Sequence, residues 1–137
     1  MGSALLERLK KGDSVDLRWI RICDDMAKTI AEFLRDDRTI TALNLGSNLF
    51  GAEGSRAIAR SLCENQTLES LDLGWNGIGV EGTRAIARSL CENQTLTALN
   101  FASNDIGVEG VRAIGKSLCE NQTLKTLHLD HNRIGAE

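Results

Sequence analysis

The sequence predicts an α/β solenoid in which a parallel β-sheet lines the concave face of an arc and α-helices cover the convex face. Three observations predict this fold. An Asn returns every 28 residues, alternating apolar residues typical of a strand precede each Asn, and an apolar stripe with helical spacing follows it. A unit of one strand and one helix cannot bury both apolar faces alone, so neighbouring units must stack.

The repeated frame is long and nearly unchanged from one unit to the next. The segment 56–68 returns unchanged at 84–96, and it returns at 112–124 with Gly115 and Lys116 as the two altered residues. Upstream, the frame persists in a degraded form, with Ile20 at the position of the recurring Asn. We therefore divide the single domain into five parts: a cap helix with a degenerate repeat (1–39), three full repeats (40–67, 68–95, 96–123) and an incomplete last repeat (124–137).

Each unit contains a strand followed by a helix. Leu71 and Leu73 alternate with polar residues, which predicts a short strand with one buried face. After the Asn, the spacing becomes helical. The predicted inward stripe of that helix consists of Gly82, Ala85, Ile86, Ser89 and Leu90. Its small residues should let neighbouring helices approach closely, and Asp24 is expected to cap the helix that it begins.

The recurring Asn residues are expected to form a structural ladder. Each lies at the bend after its strand, where its side chain can bond backbone groups that would otherwise be buried unpaired. The ladder consists of Asn48, Asn76, Asn104 and Asn132.

The pattern Leu-x-x-Leu-x-Leu-x-x-Asn-x-Ile-Gly-x-x-Gly, read over 68–82 and, with Phe101 for its third Leu, over 96–110, resembles the leucine-rich repeat of the ribonuclease-inhibitor-like class. The resemblance covers residues 15–137. It implies non-enzymatic protein binding, usually through the concave strand face. Ala52, Val80 and Val108 depart from the family pattern, which often places an Asp there at the start of a helix.

Two tryptophans are the best candidates for a binding site on the concave face. Trp19 and Trp75 occupy equivalent positions of alternate strands, about 10 Å apart at ~4.8 Å per strand step. Exposed Trp often anchors binding hot spots, and Arg18 and Asp72 are the polar neighbours. The remaining residues of the predicted partner-binding face are Asn44, Asn100, His128, Asp130 and His131. An alternative stays open, in which each Trp folds over its own turn.

The last repeat is expected to expose an apolar edge. Leu127, Leu129 and Ile134 should be covered by a helix, and the sequence stops before it. Repeat arrays need covered ends for solubility. We therefore expect self-association through this edge into a homo-oligomer. Truncation of a longer array and simple tolerance of an exposed edge are the alternatives.

Composition argues against several partner classes. The net charge is -3, which disfavours a phosphate-backbone ligand such as nucleic acid. No apolar run could cross a membrane, and the N-terminus does not resemble a signal peptide, so we expect a cytoplasmic protein. Cys63, Cys91 and Cys119 recur one repeat apart, too far for a disulfide, and are expected to be reduced thiols.

The histidines are the only candidates for chemistry. His128 and Asp130 share a strand face with His131 beside them, a combination that suits zinc or general-base work. No nucleophile is placed beside them, and polar surface residues are the commoner explanation. We predict no catalytic residue, no cofactor and no metal site.

The sequence thus favours a non-enzymatic scaffold of leucine-rich repeats that binds protein or assembles with itself. Two alternatives remain. The near identity of the repeats is also compatible with an engineered or truncated module whose only role is architecture. A ligand receptor using the Trp19 and Trp75 face is the other.

Overall fold

Helices and strands alternate along the whole of the described chain. The computed structural model describes residues 2–132, with side chains from Ala4 onward. The elements, in chain order, are α1 (Gly2–Leu9), β1 (Ser14–Asp16), α2 (Asp24–Asp36), β2 (Ala42–Asn44), α3 (Ala52–Glu64), β3 (Ser70–Asp72), α4 (Gly79–Glu92), β4 (Ala98–Asn100), α5 (Gly107–Leu118) and β5 (Thr126–His128). Within residues 2–132, no helix is long and apolar enough to cross a membrane.

The five strands form one parallel sheet in the order of the chain, β1-β2-β3-β4-β5. Leu43 pairs with Leu71, and Leu71 pairs with Leu99, so each step across the sheet joins residues one repeat apart. The predicted α/β solenoid is therefore confirmed. Because the register equals the repeat, residues that recur in the sequence lie side by side in straight rows.

The core lies between the sheet and the row of helices. Leu71 and Leu73 of β3 and its extension are buried, as are their counterparts in the neighbouring repeats. Ile86 and Leu90 of α4 meet them from the other side and are fully buried. The predicted strand face and helix stripe thus pack against each other.

Glycines in the helix stripe let neighbouring helices approach closely, as predicted. A Cβ atom on Gly82 would lie 2.5 Å from Cγ2 of Ile78 and 3.0 Å from Cβ of Ser55 in α3. Gly54 and Gly110 are crowded in the same way, with Cβ of Ala27 at 2.9 Å and Cγ2 of Thr83 at 3.3 Å on the preceding helix. A side chain at these positions would push the helices apart.

Asp24 does not cap its own helix, contrary to the sequence-based expectation. It is the first residue of α2, whose N-cap is Cys23 with no side-chain cap bond. The Oδ1 atom of Asp24 instead accepts hydrogen bonds from the N–H groups of Gly51 and Gly54, both at 2.9 Å. The carboxylate of one repeat therefore caps α3 of the next, whose own N-cap, Gly51, provides no side-chain bond.

The Asn after each strand bonds the backbone of two repeats. The Nδ2 group of Asn76 donates to the carbonyls of Leu45 (2.9 Å) and Leu73 (3.1 Å). Its Oδ1 atom accepts from the N–H of Asn48 at 3.1 Å. Asn48, Asn104 and Asn132 make corresponding bonds. At the degenerate first repeat, the N–H of Ile20 donates to Oδ1 of Asn48 at 3.1 Å.

A second row of Asn side chains follows the helices. Nδ2 of Asn93 donates to the carbonyl of Leu62 at 2.9 Å, and its Oδ1 accepts from the N–H groups of Thr95 (3.0 Å) and Leu96 (2.7 Å). Asn65 and Asn121 bond in the same way. These residues begin the Asn-Gln-Thr triplets. Side-chain amides therefore join neighbouring repeats at both ends of the strands.

Candidate binding face

Register brings one polar residue of each strand into a single row on the concave face. The row consists of Asp16, Asn44, Asp72, Asn100 and His128. Oδ1 of Asn44 accepts from the N–H of Gly46, and Oδ1 of Asp72 accepts from the N–H of Gly74, both at 2.9 Å. The side chains therefore fold back on the chain and fix the point at which each strand turns.

Two of these carboxylates differ in their partners. Asp16 and Arg18 form a two-pronged pair, with Nε 3.0 Å from Oδ1 and Nη2 2.8 Å from Oδ2. The hydrogen bond from Arg18 holds the pKa of Asp16 below its usual value, and the same bond raises the pKa of Arg18. Asp72 instead accepts a hydrogen bond from Nδ2 of Asn100 at 3.2 Å.

The tryptophans stand at the strand ends, where the sheet ladder still continues. The N–H of Trp19 donates to Gly46 (3.4 Å), that of Ser47 to Gly74 (2.8 Å) and that of Trp75 to Ala102 (2.9 Å). Trp19 and Trp75 are 78% and 63% exposed. Neither ring is therefore packed away over its own turn, which was the alternative left open by the sequence.

The backbone at the Trp position, which lies three residues beyond the polar row, is left-handed in every described repeat. The φ angles are 61° at Trp19, 54° at Ser47, 61° at Trp75, 55° at Ser103 and 59° at His131. A side chain other than Gly or Asn costs about 1 kcal/mol in this conformation. The turn imposes this conformation at all five positions, and the side chains of Trp19, Trp75 and His131 are exposed.

Leu49 adds a third exposed apolar side chain beside the tryptophans. It lies two residues beyond Ser47 and is 67% exposed. Leu49 is not among the residues predicted from the sequence for this face. The sequence contains one indication of its exposure. The equivalent positions hold Arg21, Gly77 and Asp105, so Leu49 is the apolar residue at a position that is otherwise polar or Gly. We call Trp19, Ser47, Leu49 and Trp75 the tryptophan edge.

The histidines lie at the far end of the face from Trp19. His128 continues the polar row, and His131 occupies the Trp position of the last described turn. Nε2 of His131 is 3.8 Å from Oδ2 of Asp130, and both side chains are exposed. Over residues 2–132, no three His, Cys, Asp or Glu side chains converge as metal ligands would.

Coverage of the sheet weakens at its last strand. Leu127 and Leu129 are half-buried, whereas their counterparts Leu71 and Leu73 are buried. Ile134, the third residue of the predicted self-association edge, lies outside the described residues, as does Arg133.

The convex face carries paired charges and free thiols. Arg84 lies 2.8 Å from Glu81 on its own helix and 3.6 Å from Glu109 on the next. All four cysteines are free thiols, as expected for Cys63, Cys91 and Cys119. Burial, with a smaller contribution from neighbouring Glu side chains, raises the pKa of Cys63 and Cys91 and lowers their reactivity at neutral pH.

Comparisons with known proteins place this architecture. A family model described as Leucine Rich repeat matches residues 36–59, 64–87, 92–115 and 120–137. Among solved structures, one titled "Leiomodin-1 Actin-Binding Site 2 (ABS2)" superposes with a TM-score of 0.83 at 28% sequence identity. The match covers 93% of this chain and 76% of that one. A sequence search of curated proteins gave no match.

Proposed function

This chain belongs to the leucine-rich repeat family, whose domains are typical protein-binding scaffolds, and we propose that it binds a protein partner through the tryptophan edge. We also propose that the repeats are of the ribonuclease-inhibitor-like class, which the 28-residue strand-and-helix unit supports. The concave face is proposed to bind a partner and not to catalyse a reaction.

One observation carries the proposal: two large aromatic side chains are held in solvent on a rigid backbone. Trp19 and Trp75 are exposed, while their backbones are hydrogen-bonded into the sheet. Exposed apolar groups of this size gain most when a partner removes them from water. A rigid backbone also leaves little ordering entropy to lose on binding.

Actin is the first partner to test, because the similar solved structure is titled an actin-binding site. Binding to monomeric and filamentous actin would be measured for the wild-type chain and for the Trp19→Ser/Trp75→Ser double variant. Ser is the matched replacement, because Ser47 and Ser103 already occupy equivalent turns at nearly the same φ. Leu118→Ser is the control, since Leu118 is an exposed apolar residue at the end of α5.

We expect the double variant to lose at least about tenfold in affinity, with the control unchanged. If actin does not bind, the same three proteins would be compared for partners retained from cell extract. A partner retained equally by all three, or no retained partner, would contradict binding through the tryptophan edge. The architecture-only alternative predicts the second of these outcomes.

Self-association is the second candidate function, favoured by the incomplete burial of Leu127 and Leu129. Apolar side chains that are half covered on one protomer can be buried against another copy. Light scattering over a hundredfold range of concentration tests this. We expect a discrete oligomer that Leu127→Glu dissociates, whereas a monomer at every concentration rules it out.

We also propose a cytoplasmic location. The support is chemical: Cys23 and Cys119 are exposed free thiols, which persist in a reducing compartment and oxidise readily outside it. Fractionation of cells expressing the chain would test this location directly.

A further inference from the structure

The tryptophan edge has a fixed spacing set by the sheet. Trp19, Ser47 and Trp75 are consecutive steps of one backbone ladder, because the N–H of each donates to the next strand. Neighbouring parallel strands lie ~4.8 Å apart, so the two Trp backbones are about 9.6 Å apart. With φ at 61° in both residues, the two side chains start from equivalent backbones, so a partner that contacts both must present two apolar groups at about that distance.

Among the regular peptide conformations, the polyproline II helix matches this distance best. It has three residues per turn and rises about 3.1 Å per residue, so residues i and i+3 lie about 9.3 Å apart on the same face. An extended strand places same-face residues about 6.7 or 13 Å apart. An α-helix places residues i and i+7 about 10.5 Å apart.

Hydrogen bonding also favours polyproline II over an α-helix. The carbonyls of an α-helix are bonded internally, whereas those of polyproline II are free to accept. Both indole N–H groups are unpaired among the described residues, and the side chains of Trp19 and Trp75 stand in solvent. Each ring therefore offers a flat apolar surface and a donor at its rim.

The space between the two rings is open. Ser47 is the only residue of the row between them, and its side chain is small. Directly before Ser47 and Trp75 lie Gly46 and Gly74, which are buried and have no side chains, whereas Arg18 before Trp19 is paired with Asp16. A rigid rod laid along the row can therefore contact both rings with only the small Ser47 side chain of the row between them.

We propose that the tryptophan edge binds a proline-rich segment in the polyproline II conformation, laid across β1, β2 and β3 with prolines three residues apart on Trp19 and Trp75. The inference rests on the proposed function, because it names the chemical class of the partner for that same surface. Proline suits such a site because its ring packs on aromatic faces and the segment is already stiff before it binds.

The intrinsic fluorescence of the chain can be used to measure binding at this site, because Trp19 and Trp75 are its only tryptophans and it contains no Tyr. A decaproline peptide would be titrated into the whole chain while the tryptophan emission is recorded. Calorimetry would measure the same binding in the variants that lack a Trp. A glycine-serine peptide of equal length and a designed helical peptide with leucines seven residues apart serve as comparison ligands.

We expect a saturable change in emission with decaproline and none with the glycine-serine peptide. Trp19→Ser and Trp75→Ser should each weaken decaproline binding at least about tenfold, and Leu118→Ser should leave it unchanged. A peptide with prolines at every third position should bind more tightly than one with prolines at every fourth position.

Failure of this inference and failure of the proposed function are distinguishable. If the helical peptide or a protein partner binds in a Trp-dependent way and decaproline does not, the edge is a binding site but the polyproline II assignment is wrong. Decaproline binding that survives the loss of both tryptophans also overturns the assignment. If the binding of no ligand or protein depends on the tryptophans, both the polyproline II assignment and the proposed function are wrong.

Discussion

Two residues that are neighbours in the chain, Trp75 and Asn76, belong to different parts of the molecule. The side chain of Asn76 is buried and bonds the backbone of two repeats. That of Trp75 is exposed, with no hydrogen bond to the described residues. The Asn is present in each described turn from the one after β2 onward, whereas the position before it holds Ser, Trp, Ser and His in turn.

This difference teaches how the repeat separates stability from recognition. The inward residue of each turn, the Asn, is buried and bonds the backbone. The residue before it has a left-handed backbone, and its side chain faces outward at Trp75 and His131, which are exposed. Replacing the outward residue should change what the protein binds. Replacing the inward residue should change whether it folds.

The largest effect is expected from Asn76→Ala. The substitution leaves the N–H of Asn48 without a partner in a dry interior, and it removes one of the two donors to the Leu45 carbonyl, which keeps its bond from Nδ2 of Asn48. An unpaired buried N–H costs about 1–3 kcal/mol and each further lost hydrogen bond about 1 kcal/mol, so the free energy of unfolding should fall by about 3 kcal/mol. Denaturant unfolding measures it, with Asn44→Ala as the control, since the Asn44 side chain is only half-buried. Equal losses in the two variants would contradict the comparison.

A somewhat smaller loss is expected where the helices touch. Gly82→Ala places a Cβ atom 3.0 Å from Cβ of Ser55 on the neighbouring helix α3 and 2.5 Å from Cγ2 of Ile78 at the start of its own helix, so the free energy of unfolding should fall by about 2 kcal/mol. Gly115→Ala is the matched variant, because a Cβ there meets nothing within 4 Å. It should raise the same free energy by about 0.5–1 kcal/mol, since Ala favours a helix over Gly. Two changes of the same sign would show that the close approach of the helices is unimportant.

The cap between repeats should contribute less. Asp24→Ala removes the acceptor for the N–H groups of Gly51 and Gly54, and should lower the free energy of unfolding by about 1 kcal/mol. Asp25→Ala, one residue away and exposed, serves as the control. Hydrogen exchange should then quicken at the start of α3 and not at the start of α2. Faster exchange at the start of α2 would instead support the sequence-based prediction that Asp24 caps its own helix.

The smallest effect on stability is expected from Trp75→Ser. The turn keeps the residue found at Ser47 and Ser103, and the lost ring is mostly exposed, so the free energy of unfolding should change by less than about 0.5 kcal/mol. Thermal unfolding measures it. A loss as large as that of Asn76→Ala would mean that the ring supports the fold, and the two positions would no longer differ in kind.

Periodicity was enough to predict the architecture, because a parallel register of one repeat converts sequence positions directly into rows. Leu71, Leu73 and the helix stripe of α4 could be assigned in this way. The partners of Asp24 and Asn93 could not, because each bonds a backbone group one repeat away. Which backbone group lies opposite a side chain depends on the distance between neighbouring helices, and a one-dimensional pattern does not contain that distance.

The exposure of the tryptophans was likewise beyond the sequence. It depends on a left-handed turn, and neither Trp nor Ser is a residue that marks such a turn. Leu49 was missed as part of the edge for a related reason. Its turn lacks the positive φ angles found at Gly77 and Asp105, so the repeats differ locally where the frame alone predicts the same turn.

The alternation of Trp and Ser along one row has a consequence for valence. Trp recurs at every second strand, so each further pair of such repeats would add one exposed Trp side chain, an aromatic post, about 10 Å beyond the last. A longer array would then hold a longer segment at more points, and avidity would rise with the number of posts without any change in the individual contact. Array length alone would set how strongly the edge holds its partner.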